Sequence, residues 1–358
     1  MSLSTITIHG YKSIEKLESF KLSNLNVLIG ANGAGKSNFI SIFKLLNEIY
    51  EQRLQIFVQQ QGGPDSLLHL GREMTDKIHA EFYFKANGYY FDLIPTIDNR
   101  MIFQNEYLWF KGQIYSSSSH LIGSGNAESN LKDSTDTFAP YVRSALKAWH
   151  IYHFHDTSDT AKVKRKHPTN DNIKLKPDAE NLAAYLRMLS TKYSEEYRRI
   201  VETIQLVLPF FDDFVQREDE SEFIELEWFQ IDRPNTPLKA HLLSDGSLRF
   251  ICLTTLLLQP KALLPDTIII DEPELGLHPY AISVLADIFK QVSEDKQLII
   301  STQSVELINE MESENIIVVD QNQGKSTFKR FEKEELEEWL EDYSLGELWK
   351  RNVLGGRP

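Results

Sequence analysis

From Asn26 to Phe39 the chain reads NVLIGANGAGKSNF. A short apolar run ends in a glycine-rich turn, and a Lys-Ser pair then opens a segment with Ile40, Phe43, Leu45 and Leu46 at helical spacing. Gly30 to Ser37, GANGAGKS, fits the pattern G-x-x-x-x-G-K-[ST] in the context it requires, with a strand before it and a helix after it. Gly30, Gly33 and Gly35 let the backbone fold round a phosphate with its N–H groups pointing inward. The helix N-terminus adds a partial positive charge. Lys36 would reach the β- and γ-phosphates of a nucleotide, and Ser37 would be a Mg²⁺ ligand. Asn32, Ala34 and Asn38, in the same loop and first turn, complete the expected nucleotide-binding set.

A counterpart lies far downstream. Thr267 to Glu274, TIIIDEPE, is an apolar β-branched run ending in two adjacent carboxylates. Asp271 is the candidate to hold Mg²⁺ through its water shell, and Glu272 the candidate general base on an attacking water. Taken alone, the same residues are an acidic strand end. A third stretch, His241 to Phe250, HLLSDGSLRF, sets a small polar loop before an apolar helical run. Ser244 or Asp245 could be a plain N-cap there.

Composition narrows the class. The chain has 358 residues, 41% hydrophobic and 25% charged, which fits one large globular unit with insertions, or two lobes. Its formal net charge of −14 argues against nucleic acid bound over the whole surface. Cys252 is the single cysteine and falls in an apolar run, so neither a disulfide framework nor a cysteine metal cluster is expected. The N-terminus lacks a signal-peptide pattern, and no apolar run approaches the ~20 residues that span a bilayer. A cytoplasmic location and no membrane attachment are the expectation.

The fold class expected is α/β, with β-α alternation at both ends of the chain and a parallel sheet built from them. Residues 1–158 would form the first part of that lobe with a β-rich subdomain, including a hairpin turning at ANG, 86–88. Residues 159–215 would be a helical insertion lobe, with Leu182, Leu186 and Leu189, then Tyr197, Ile200, Ile204 and Val207, at helical spacing. Residues 216–330 would complete the sheet, and 331–358 form a helical, acidic tail. The Ser/Gly/Asn-rich stretch 115–130 reads as a mobile surface loop, and SEFIELEWFQI, 221–231, as one strand.

Together, IGANGAGKSN, LLSDGSLRF, IIIDEPELGLHP and IISTQSVEL resemble, in order and spacing, the P-loop NTPases of ABC type. The likeness is greatest to the SMC/RecF and overcoming-lysogenization-defect-like branch, and to its stand-alone bacterial ATPases. WHIYHFHDTSD and EWLEDYSLGELWKRNVLGGRP also look like that subgroup. The resemblance implies an ATP-hydrolysing protein that uses ATP and Mg²⁺ and forms a homodimer on ATP binding. In such proteins a signature loop from one subunit caps the γ-phosphate held by the other. That loop would here be Leu243 to Ser247, with Ser244, Asp245 and Gly246 reaching the partner's nucleotide in trans.

The resemblance also makes Gln303 the switch residue, where such ATPases usually carry His. Glutamine can hydrogen-bond a γ-phosphate or water but cannot take a charge, so slower and less pH-sensitive hydrolysis is expected. Lys36, Glu272 and Gln303 are thus the candidate catalytic set. Lys12, in GYKSI, is the candidate basic residue near the nucleotide, or else an exposed surface lysine. Glu274, Leu275 and His278 are candidates for the dimer interface. His155 or Asp156 would lie near the metal, at the loop coupling nucleotide to the second lobe. His153 and His155, two apart on a strand and followed by Asp156, would share one face, but a third ligand is not visible there, so a transition-metal site is not expected.

Lys162 to His167, KVKRKH, has four basic residues in six, which could touch DNA phosphates or form a solvated face. Without a long coiled coil or a nuclease-type acidic cluster, the output would go to DNA or a protein effector. Genome maintenance or anti-phage defence is what the resemblance suggests. The alternative is a nucleotide-sensing scaffold with little turnover that recruits an effector such as a nuclease.

Overall fold

The computed structural model describes residues 2–112, 117–217 and 221–356. Its centre is a six-stranded sheet in the order β17-β16-β3-β15-β14-β8. The strands are β3 (Leu25–Ile29), β8 (Trp149–Tyr152), β14 (Thr267–Asp271), β15 (Gln297–Thr302), β16 (Ile316–Asn322) and β17 (Lys325–Arg330). All adjacent pairs are parallel except β16 with β17. Near-continuous apolar runs are what a sheet covered on both faces requires. Period-two alternation then divides them: Val27, Ile268, Ile270, Leu298 and Ile300 face one core, and Leu28, Ile269 and Ile299 the other.

The second core lies under an antiparallel sheet in the order β2-β1-β4-β5-β6-β7. Its strands are β1 (Thr5–Tyr11), β2 (Ile14–Lys21), β4 (Ile78–Phe84), β5 (Asn87–Pro95), β6 (Met101–Phe110) and β7 (Ser118–Gly123). Between the two sheets runs α1 (Lys36–Tyr50), which buries its apolar side, Phe39, Ile42, Phe43, Leu46 and Ile49 among it, and leaves Ser37, Lys44 and Asn47 exposed on the other. Phe43 on α1 meets both Phe82 of β4 and Trp149 of β8, ring edge to ring face. The helices α2 (Leu54–Gln60) and α3 (Ala139–Lys147) pack beside it.

The first core is covered by helices. These are α4 (Leu182–Lys192), α5 (Ser194–Val207), α6 (Asp245–Leu258), α7 (Pro279–Ser293) and α8 (Val305–Asn309). Two small antiparallel sheets flank them. One is β10 (Phe211–Phe214), β12 (Glu227–Gln230) and β13 (Arg233–Lys239), and the other pairs β9 (His167–Pro168) with β11 (Phe223–Ile224). Leu182, Ile200 and Ile204 of the expected insertion share one cluster with Phe250, Leu285 and Ile300. The tail carries α9 (Lys333–Leu340) and α10 (Leu345–Lys350).

Two expectations are corrected. Within 115–130, Ser118–Gly123 is not a loop but β7, paired with β6 in a register that sets Phe110 opposite Ser118. Its serines alternate in exposure along this edge strand, so polarity reflects the open face rather than a missing partner. Tyr115 and Ser116 lie outside the described residues. The stretch 221–231 is not one strand, because Phe223–Ile224 joins β9 while Glu227–Gln230 joins β10 and β13.

Trp149 joins the two sheets through Phe43, Phe82 and Phe84. Replacing it with Ala should cost about 3–5 kcal/mol, read as a lowered denaturant midpoint at unchanged slope. A loss below 1 kcal/mol would show that the contact is not a structural junction.

Candidate functional site

The glycine-rich turn leaves the centre of the parallel sheet at Ile29 and closes on α1. Gly30, Gly33 and Gly35 have φ of 156°, 81° and 118°. A Cβ on Gly35 would come 2.1 Å from Ser326 Oγ, and one on Gly30 would come 2.2 Å from the Val319 carbonyl oxygen. Gly35 supplies no side-chain cap to α1, whose first turn holds no acidic residue. The first-turn amides are thereby left for an anion. Lys36 is buried, and its ammonium donates to the carbonyls of Gly30 at 2.6 Å and Ala31 at 3.1 Å. Burial lowers its pKa, opposed by Glu272, Asp271 and Glu274. The residues fit a bound triphosphate: the loop is open, and the cation is drawn into it with no carboxylate partner closer than those of the facing strand end.

That facing strand end is β14. A small cleft of about 120 Å³ is lined by Ala31, Asn32, Gly33, Gly35, Lys36, Ser37 and Asn38 from the turn, with Glu272 and Gln303 opposite. A larger cavity, about 630 Å³, lies at the far end of α1 against Trp149 and His150 and contains none of these residues. The small cleft is the candidate site, because a phosphate is recognised by convergent N–H groups rather than by volume. Asp271 accepts from the Ser301 hydroxyl on β15. Glu272 has φ 43°, a left-handed conformation unusual outside glycine, and its N–H donates to the Ser301 carbonyl at 2.9 Å. Gln303 Nε2 donates to Glu272 Oε1 at 2.5 Å. Among the described residues no group of three or more His, Cys, Asp or Glu could hold a metal. Ser37 lines the cleft and Asp271 stands at the facing strand end, and Mg²⁺ on these two oxygens would need nucleotide oxygens and water to complete its shell.

Three expected site residues, Ser244, Asp245 and Gly246, do not line this cleft. Ser244 caps α6, its Oγ accepting from Ser247 N–H at 3.1 Å. Asp245 is exposed and faces Lys164, whose ammonium lies 4.0 Å away. Gly246 makes a close approach within its own chain, since a Cβ there would come 2.2 Å from the Gly276 carbonyl oxygen. Lys12 is also not brought to the cleft, because its ammonium donates to Gln61 Oε1 at 3.2 Å. Asn38 is held by Ser13, its amide donating to Ser13 Oγ at 2.6 Å.

Glu274, expected at the dimer interface, is bonded within its own chain. Its carboxylate turns inward and accepts from Thr302 Oγ1 at 2.6 Å and Gln303 N–H at 3.0 Å, while Oε2 is buried with no hydrogen-bond partner among the described residues. Burial raises its pKa. Leu275 and His278 are exposed, and His278 also caps α7 by accepting from Tyr280 N–H at 3.3 Å. His155 offers its carbonyl to Arg249 at 3.2 Å, and Asp156 is exposed and bonded to Ser158. The segment 162–167 is partly neutralised: Lys162 pairs with Asp178 and Glu180, and Lys164 is nearly buried on the Thr157 carbonyl.

Two further features escape a motif-based reading. Ser326 Oγ donates to the Ala34 carbonyl at 2.6 Å and contacts Ser13 Oγ at 2.7 Å, bracing the turn from β17. Buried Arg249, inside the apolar run of α6, donates to the Phe154 carbonyl at 2.9 Å and ties α6 to the exit of β8. An arginine in so apolar a run was the available signal.

Comparison with known proteins accords with this geometry. The AAA_21 family, described as "AAA domain, putative AbiEii toxin, Type IV TA system", matches residues 25–309. The chain belongs to this family. Those residues begin at β3 and end with α8, so they include the glycine-rich turn, both carboxylates and Gln303. In structure the chain is similar to an Smc head bound to the C-winged helix domain of ScpA, with TM-score 0.63 and 17% identity over 94% of this chain and 100% of that one. It is also similar to an Smc head with an extended coiled coil from Pyrococcus furiosus, bound to the C-terminal domain of ScpA. There the TM-score is 0.57 at 14% identity, over 95% and 98% of the chains. No curated protein sequence matches the chain. The fold is the one that Smc heads share, the α/β class that the motifs implied. Among the described residues no helix is long and apolar enough to cross a membrane.

The raised pKa of Glu274 yields a signed prediction. The folded chain holds this proton more tightly than the unfolded chain does. The associated stability is therefore present below the unfolded carboxylate value, about 4.3, and is lost as pH rises through the folded value. Glu274→Gln keeps an acceptor and carries no charge to bury, so its melting temperature should gain on wild type between pH 4 and pH 7. A pH-independent difference would place the carboxylate in solvent.

Proposed function

We propose that the chain is an ATP-binding and ATP-hydrolysing conformational switch that dimerises head-to-tail around ATP. The observation that carries this reading is the incomplete cleft. Lys36, Ser37, Glu272 and Gln303 converge in one chain, while the Ser244–Gly246 loop, at the exposed N-terminus of α6, lies outside. A helix N-terminus of this kind can serve an anion held by another molecule. Its own-chain neighbours also support that reading. The Lys164 ammonium lies 4.0 Å from Asp245 and offsets its charge, and Gly246 packs on the loop that follows Glu272.

Within a subunit, the amides of the turn and Lys36 hold the phosphates in line. Glu272 receives a proton from the attacking water, and the Gln303 amide keeps its carboxylate aimed across the cleft. Glu274 fixes the backbone of Gln303 and hence the reach of that amide. Mg²⁺, when bound through Ser37 and Asp271, neutralises phosphate charge. Because a glutamine replaces a titrating histidine, turnover should be slow and vary little between pH 6 and pH 8.

The output is mechanical, and closure of the dimer would be passed to a protein effector or to DNA. Repair or anti-phage defence is the biological setting this reading favours, with the family's description supporting the second. A scaffold that binds ATP with little turnover is the competing reading, supported by the Gln303–Glu272 pairing that occupies the base.

Light scattering with and without ATP separates the two. Glu272→Gln should lower turnover by about 10²–10⁴-fold and accumulate an ATP-bound dimer that wild type forms only transiently. Ser244→Arg should bind ATP as a monomer and neither dimerise nor hydrolyse it. If Glu272→Gln behaves as wild type, the chain is a scaffold; if Ser244→Arg dimerises and turns over normally, the signature assignment fails.

A further inference from the structure

Beyond α9 the chain makes contacts that the nucleotide cleft alone does not explain. Ser344 and Glu347 form a reciprocal cap on α10, which lies flush on α8. A Cβ on Gly346 would come 2.6 Å from both Asn309 Oδ1 and Val305 Cγ1, and the Gly346 N–H donates to that Asn309 oxygen at 2.7 Å. The helix so covered begins two residues after Gln303. The chain then reverses, with Val353 N–H donating to the Leu348 carbonyl at 2.9 Å, and runs to Gly355 and Gly356 at φ of 83° and 59°. Trp349 is fully buried, and its indole N–H donates to the Gly356 carbonyl at 2.6 Å.

Gly356 ends against the base of the phosphate turn. A Cβ there would come 2.8 Å from the Val319 carbonyl oxygen and 3.5 Å from Gly30 Cα. The same Val319 oxygen sits 2.2 Å from the Cβ position of Gly30. One carbonyl of β16 is therefore enclosed between the first glycine of the turn and a glycine from the tail. Only residues without a side chain allow both approaches, and the positive φ of Gly356 independently favours glycine.

We propose that residues 344–356 are a positioning strap for the nucleotide site. One arm seats α8 and with it Gln303, the other seats Gly30 through Val319, and the Trp349–Gly356 hydrogen bond fixes the span between them. The inference rests on the nucleotide reading of the cleft and adds a dependence of that cleft on the tail. The two arms act on different steps: the Gly30 arm sets how the turn receives the triphosphate, and the α8 arm sets how Gln303 meets the reacting phosphate. A tail that only packs would stabilise both ends without distinguishing binding from turnover.

Steady-state kinetics with MgATP on the full chain tests this. Gly356→Ala should raise KM about tenfold with little change in kcat. Gly346→Ala should lower kcat about tenfold with little change in KM. Trp349→Phe, which keeps the ring and removes the donor, should move both. Melting temperatures that fall while KM and kcat stay unchanged would overturn the strap and leave a packing tail. Hydrogen exchange on wild type covers a variant that does not fold. ATP should slow exchange at 345–356 together with 30–37, and unchanged exchange in the tail would overturn the proposal. A wild-type chain that binds no ATP would instead overturn the proposed function.

Discussion

The site depends on a backbone turn held open at close quarters. Gly30 and Gly35 press against the Val319 carbonyl and the Ser326 hydroxyl, with no room for a Cβ at either point. Ser326 also grips the Ala34 carbonyl and Ser13, so the antiparallel sheet, the turn and the β16–β17 hairpin meet there. The turn is thereby preformed rather than assembled by its ligand. Ordering a loop on binding costs roughly 1–2 kcal/mol per residue, and preorganisation removes that cost.

The parallel sheet supplies the remaining constraint. β3 and β14 both adjoin β15, so the turn after β3 and the carboxylates after β14 emerge at one edge of the sheet. β15 between them ends in Ser301 and Thr302, with Gln303 next, and each binds an acid: Asp271, Glu274 and Glu272 respectively. This ladder gives each of three nearby carboxylates its own hydrogen-bond donor, although Glu272 still acts on Glu274 as a like charge. It holds Glu272 toward the cleft in a strained backbone conformation, which the surrounding bonds maintain.

Much of this was legible in the residues because the features that bind phosphate are local. The turn needs glycines at fixed offsets, and the strands on either side need continuous apolar runs, so GANGAGKS and TIIIDEPE could be read directly. What was not legible is long-range. Ser326 and Ser13 are ordinary polar residues until β17 brings one over the other. Glu274 looked outward because its loop is exposed, yet its carboxylate follows the backbone inward to Thr302. The Ser/Gly/Asn-rich stretch 115–130 reads as a loop although it contains β7, since an edge strand with one open face tolerates polar residues. Ser244 reads equally as a cap and as a ligand, and within one chain it is a cap.

Composite sites have one direct test. Lys36→Ala removes the phosphate cation from a subunit but keeps its Ser244 loop; Ser244→Arg does the reverse. Each alone should be inactive. Mixed in equal amounts, only unlike chains would pair, and each mixed dimer would carry one intact site of two, restoring up to about half of wild-type ATP turnover. Full activity of either variant alone, or no recovery on mixing, would contradict an ATP site shared between two copies of the chain.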